Sequence, residues 1–100
     1  LISILSLTNS CKKASDVPGL NEVFIQGMSF NPSTITVNAN TTITWTNKDG
    51  VAHTVTSNSG LFDSKSISNN GTYSHLFNTV GTFPYKCTFH TSMTGTVVVN

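Results

Sequence analysis

Residues 87–93 read Cys-Thr-Phe-His-Thr-Ser-Met, which sets a thiol, an imidazole and a thioether at the spacing Cys87-x2-His90-x2-Met93. A second imidazole, His53, stands upstream. Soft sulfur together with imidazole suits copper, and two His with one Cys and a weak axial Met make up the donor set of an electron-transfer copper centre. Four protein donors around one ion leave no open position for a substrate, which argues against catalysis. The third histidine, His75, lies between Ser74 and Leu76 with no sulfur nearby in sequence. It reads as a partly buried or surface residue with a structural role.

Donors so far apart in the chain need strands to hold them. Thr, Val and Ile supply 31 of the 100 residues, while the helix formers are reduced to three Ala, one Glu, one Gln and no Arg. β-Branched side chains crowd a helical turn but fit a pleated strand. Short apolar or alternating runs at 22–26, 34–37, 41–46, 51–56, 72–77, 82–87 and 94–99 are separated by turn clusters such as Asn38-Ala-Asn40, Asn47-Lys-Asp-Gly50, Ser57-Asn-Ser-Gly60 and Asn69-Asn-Gly71. That rhythm predicts an all-β, Greek-key sandwich or barrel of about seven to eight strands. Strand phase puts Cys87 on the face that carries Phe83 and Tyr85, so its sulfur is expected to point inward. By the same rule His53 shares a face with Val51 and Val55, opposite Ala52, Thr54 and Thr56. Trp45, Phe83 and Tyr85 are read as core.

The charge pattern narrows the partners. Five Lys oppose four acids, only 9% of residues are charged, and the formal net charge is +1. A nucleic-acid binder resting on a basic patch is excluded, as is an acidic disordered tail. No stretch approaches the roughly 20 apolar residues of a membrane span.

Residues 1–10 form a short apolar run that ends in small residues before Cys11-Lys-Lys13, and they read as the remnant of a secretory or lipoprotein signal. In the lipoprotein reading Cys11 becomes the acylated first residue of the mature chain, although the Leu expected three positions before it stands four before, at Leu7. Residues 11–21 read as a flexible tether and 22–100 as the copper-binding domain. Export would permit a Cys11–Cys87 disulfide, but a cysteine in a removed or lipidated segment is a poor partner for a core thiol.

From Glu22 to Asn100 the sequence resembles the small type-1 blue copper proteins, the cupredoxins of the plastocyanin and amicyanin group. The resemblance rests on Phe30-x-Pro32 before Ile35-Thr-Val37, on Thr44-Trp-Thr-Asn47, on His53-Thr-Val55, and on Gly81-Thr-Phe-Pro-Tyr85-x-Cys87 with the ligand loop. The short Cys-x2-His-x2-Met loop is nearer to the amicyanin pattern than to the longer plastocyanin loop. The resemblance implies one copper per chain, cycling between Cu(I) and Cu(II). His53, Cys87 and His90 would be its trigonal ligands and Met93 the long axial one. The family often has Asn directly after the first ligand histidine, whereas this chain has Thr54. The link between the ligand loops is then either weaker or made by the Thr hydroxyl.

The function expected on these grounds is one-electron transfer between redox partners in the cell envelope, periplasmic or membrane-anchored through Cys11. A partner such as a cytochrome or a copper oxidoreductase would dock near His90. There the loop residues Thr88, Phe89, Thr91 and Ser92, with Met28 and Leu61 as neighbours, carry no charge. A monomer is expected at this size. Oxidase or nitrite reductase domains need His-x-His pairs, and a binuclear copper centre needs two Cys in one loop; the sequence has neither. A copper-binding or delivery protein without a redox role is the alternative.

Overall fold

The structure, a computed structural model, describes residues 17–100. The signal reading of residues 1–10, the lipid site at Cys11 and most of the tether lie outside the described residues. Eight strands follow: β1 (Glu22–Ile25), β2 (Phe30–Asn31), β3 (Thr34–Val37), β4 (Thr41–Asn47), β5 (Thr56–Ser57), β6 (Thr72–Phe77), β7 (Gly81–Lys86) and β8 (Thr94–Val99). They form two four-stranded sheets in the orders β2-β1-β4-β6 and β3-β8-β7-β5. The β1–β4 and β3–β8 pairs are parallel, and the other pairs are antiparallel. The expected all-β sandwich and strand number are therefore present, with no helix among the described residues.

Alternation explains why the sheets face each other. Along β4, Ile43, Trp45 and Asn47 are buried while Thr42, Thr44 and Thr46 face outward or sit part-exposed. β8 repeats the pattern with Val97 and Val99. Trp45 lies at the centre, with Tyr85 edge-on at 5.4 Å, Tyr73 at 5.8 Å and Phe77 at 6.3 Å between ring centroids. Its indole Nε1–H donates to the Tyr85 hydroxyl across the two sheets at 3.0 Å, so the largest side chain of the core is buried without an orphaned donor. Gly95, opposite Tyr85 on β8, has no room for a side chain: a Cβ there would lie 2.4 Å from the Tyr85 ring. Truncating an aromatic in such a core costs about 3–5 kcal/mol. The pile therefore fixes β4 against β7, the two strands that run out into the ligand-bearing segments.

Two expectations need correction. Residues 51–56 are not a regular strand. His53 makes an isolated bridge to Ile67, Thr56 another to Asp63, and only Thr56–Ser57 joins a sheet. Without a continuous ladder the two-residue period is lost. His53 and Val55 are buried as expected, but Val51 is half exposed and Thr54 is buried with them. Leu61 is not a neighbour of the His90 loop. It lines a cavity of about 150 Å³ with Phe77, Asn78, Thr79 and Phe83, towards the opposite end of the sandwich. Met28 does lie at the ligand end, where its backbone N–H meets Asp49.

Candidate metal centre

His53 is fully buried and held from the far side of its ring. Its backbone exchanges both hydrogen bonds with Ile67, at 3.1 and 2.8 Å. Its Nε2 lies 2.9 Å from Asp49 Oδ2. Asp49 in turn accepts the backbone N–H groups of Gly27 at 2.8 Å and Met28 at 3.0 Å, two successive residues with φ of 64° and 58°. Such a pair of amides forms a concave anion site, occupied here by the protein's own carboxylate. Partial burial works against the charge on Asp49, but the Met28 and Gly27 amides and His53 outweigh it and hold its pKa below the ordinary value. An ionised carboxylate only accepts, so the proton of a neutral His53 sits on Nε2 and the Nδ1 lone pair is left free.

The loop that supplies Asp49 is itself tied down by Asn47. This buried amide donates to the carbonyls of Val51 and Ile67, each at 2.9 Å, and accepts the Asp49 N–H at 2.9 Å.

The other donors come from the turn between β7 and β8. Cys87 N–H donates to Met93 C=O at 3.1 Å and Met93 N–H to His90 C=O at 2.9 Å, closing residues 87–93 into a compact loop. Cys87 is a buried free thiol, Met93 is buried in the same core cluster, and His90 is half-buried. Burial opposes ionisation of Cys87 and is its largest single influence. The Thr54 N–H, the His90 ring and the Phe89 N–H work against it and hold the thiol pKa below its ordinary value. The thiolate is the form that binds metal, so these donors favour the binding form of the sulfur.

His53 Nδ1 lies 3.7 Å and His90 Nδ1 3.9 Å from Cys87 Sγ, and the three donor atoms fall within 4.8 Å of one another. First-row metal–nitrogen and metal–thiolate bonds of about 2.0 and 2.3 Å place donors about 3.7 Å apart when they surround one ion in a trigonal plane. The site thus has the size and the donor chemistry for one copper ion. Three of the four residues singled out by sequence converge through their donor atoms, and the fourth, Met93, is buried at the base of the same loop. His75 is elsewhere, part-buried, tilted against Phe62 and edge-on to Phe77, each at 4.8 Å between ring centroids.

Sequence reasoning assigned Asn47 and Asp49 to a turn and missed that Asp49 seats the His53 ring and Asn47 the loop that presents it. An acid four positions before a ligand histidine was the available signal. Thr54 resolves the open question about the link between the ligand segments: its hydroxyl accepts the Thr88 N–H at 2.8 Å.

The family model for the cupredoxin-like domain matches residues 1–99. The chain is 38% identical over 86 residues to amicyanin-alpha of Methylorubrum extorquens, spanning 81% of this chain and 72% of that protein. It is 30% identical over 92 residues to amicyanin of Paracoccus versutus, spanning 86% and 70%. Among solved structures, a mutant amicyanin in its oxidized state superposes with a TM-score of 0.77 at 28% identity, covering 87% of this chain and 89% of that one. The purple cupredoxin from Nitrosopumilus maritimus does so with a TM-score of 0.73 at 28% identity, covering 79% and 98%.

Proposed function

This chain belongs to the cupredoxin-like domain family, and from that premise we propose that it carries single electrons on one type-1 copper ion held by His53, Cys87, His90 and Met93. It is an electron carrier and not an enzyme. The observation that carries the ligand assignment is the convergence of His53 Nδ1, Cys87 Sγ and His90 Nδ1 within 4.8 Å. Copper, when bound, supplies the Cu(I)/Cu(II) couple. The chain's own residues supply the rest. Asp49 keeps the His53 proton on Nε2, and the surrounding N–H groups favour the thiolate form of Cys87. The cage is anchored to both sheets, so the donors have little freedom to rearrange.

His90 is the more exposed imidazole and the exit for the electron. Around it Thr88, Phe89, Thr91 and Ser92 are exposed and uncharged. A cytochrome or copper oxidoreductase docks there through a small apolar contact, in keeping with weak redox encounters. We extend the reading to residues 1–21: residues 1–10 act as an export signal and 11–21 as a tether that places the monomeric domain of residues 22–100 in the cell envelope. Cys11 is the point of lipid attachment. The apolar run before Cys11 supports this.

The test is a Cu(II) titration of the metal-free protein followed by visible absorption and EPR. An intense blue band with narrow copper hyperfine splitting, abolished by Cys87→Ser, is expected. A pale, ordinary Cu(II) spectrum overturns the electron-carrier reading and favours copper binding or delivery without a redox role.

A further inference from the structure

Thr54 joins more than the two ligand segments. Its N–H donates to Cys87 Sγ at 3.4 Å, and its hydroxyl accepts the Thr88 N–H at 2.8 Å. The same hydroxyl lies 3.1 Å from Thr88 Oγ1 and 3.0 Å from Thr56 Oγ1. Thr56 Oγ1 continues outward to Asp63 Oδ1 at 3.1 Å. Asp63 is fixed in turn by the Lys65 N–H at 2.9 Å and stands 3.5 Å from the Lys65 ammonium.

Proton counting orients the whole chain. A carboxylate only accepts, so the single Thr56 proton goes to Asp63. Thr56 then has only lone pairs to offer Thr54, and the Thr54 proton must point at Thr56. Thr54, its proton spent, receives both the hydroxyl and the amide of Thr88. The order Thr88 → Thr54 → Thr56 → Asp63 is the one arrangement that satisfies every group. Thr54 is only 3% exposed, so water has little access to substitute for a missing partner. The Lys65 amide first, and the Thr56 hydroxyl after the opposing effect of burial, hold the Asp63 pKa below its ordinary value, which keeps it an acceptor near neutrality.

We propose that this directed hydroxyl relay lets the surface carboxylate of Asp63 set the acceptor strength of Thr54, and through it the position of the segment that carries Cys87. Thr54, Thr56 and Asp63 are thereby positioning residues for the copper site, none of them a ligand. The inference rests on the reading that Cys87 binds copper. It does not rest on Asp63 acting across space, since its effect passes through one hydroxyl.

That hydroxyl is the point of attack. In the copper-loaded protein, Asp63→Asn is expected to change the ratio of Cu(II) to Cu(I) affinity about threefold, since one hydrogen bond is worth a factor of roughly 2–10. Threefold is about 30 mV for a one-electron couple. In a Thr56→Val background the same substitution is expected to leave the potential unmoved, and Thr56→Ser should restore the response. An equal shift in both backgrounds means a through-space field, and no shift in either means no coupling; each overturns the relay. Amide exchange of Thr88 in the metal-free protein reads the relay without copper. About threefold to tenfold faster exchange in Thr56→Val is expected, and an unchanged rate overturns it. A pale copper spectrum combined with faster Thr88 exchange sinks only the copper reading.

Discussion

The two sides of the donor cluster are built on different principles. On the His53 side the ring is fully buried, its Nε2 is seated on Asp49, and Asp49 is seated on two amides of the turn between β1 and β2. Asn47 then pins the connecting loop with three hydrogen bonds. On the Cys87 side a seven-residue loop is closed by two backbone hydrogen bonds and tied to Thr54 at Cys87 and Thr88, and four of its residues are exposed. One side fixes geometry by depth and redundancy. The other gives up burial so that an imidazole edge can meet a partner. A carrier needs both, because a cage open on all sides would reorganise and a cage closed on all sides could not exchange electrons.

The comparison predicts unequal responses to mutation. The largest is expected at Asp49. Replacing it with Ala frees the His53 tautomer, and copper affinity should fall about 10–100-fold, the usual cost of losing the outer partner of a ligand histidine. Competition with a chelator measures it, and an unchanged affinity breaks the account of the deep side. Asn47→Ala removes three hydrogen bonds of a buried amide and should cost about 3 kcal/mol of folding stability in denaturant unfolding of the metal-free protein. No substitution of exposed loop residues such as Thr91 should cost more than about 0.5 kcal/mol.

Phe89→Glu tests the open side. Electron self-exchange between two copies should slow severalfold and become strongly salt-dependent, because facing patches would then carry like charges. The unmodified protein should respond to salt only mildly, and a steep response would show that charge steers docking after all.

The smallest effect belongs to His75. Burial lowers its pKa from the ordinary 6.5, so the unfolded chain binds its proton more readily than the folded one. Its contribution to stability is fully present above pH 6.5 and is lost as pH falls through the lowered folded value. Unfolding of the metal-free protein followed downward from pH 6.5 should therefore be less pH-dependent in His75→Phe than in the unmodified chain. Copper binding should be unaffected, in contrast to every histidine substitution at the cluster.

How much of this was legible depended on what holds each segment. β3, β4, β6, β7 and β8 sit where alternation placed them, because a full ladder enforces a two-residue period. The 51–56 stretch bonds through single bridges and side chains, so alternation there has no ladder to express. β2, two residues long, is too short to show any period. Cys87, His90 and Met93 could be read because their spacing lies within one turn of chain. Asp49 left only the weak local signal of an acid four positions before His53, and Thr56 left none, since its role depends on partners brought together by the fold. The turn signal at 47–50 was correct and incomplete: it identified a bend and said nothing of the carboxylate the bend presents.

His53 and Cys87 are separated by 34 residues, Cys87 and His90 by three. An ion shared among them would therefore act as a removable cross-link between distant parts of the chain. Closing a long loop takes more freedom from the unfolded ensemble than closing a short one. Copper bound at this place would gain most of its leverage over folding from the His53 tie. Its release would hand that conformational entropy back to the chain, so the lifetime of the fold and the occupancy of the site would be governed together.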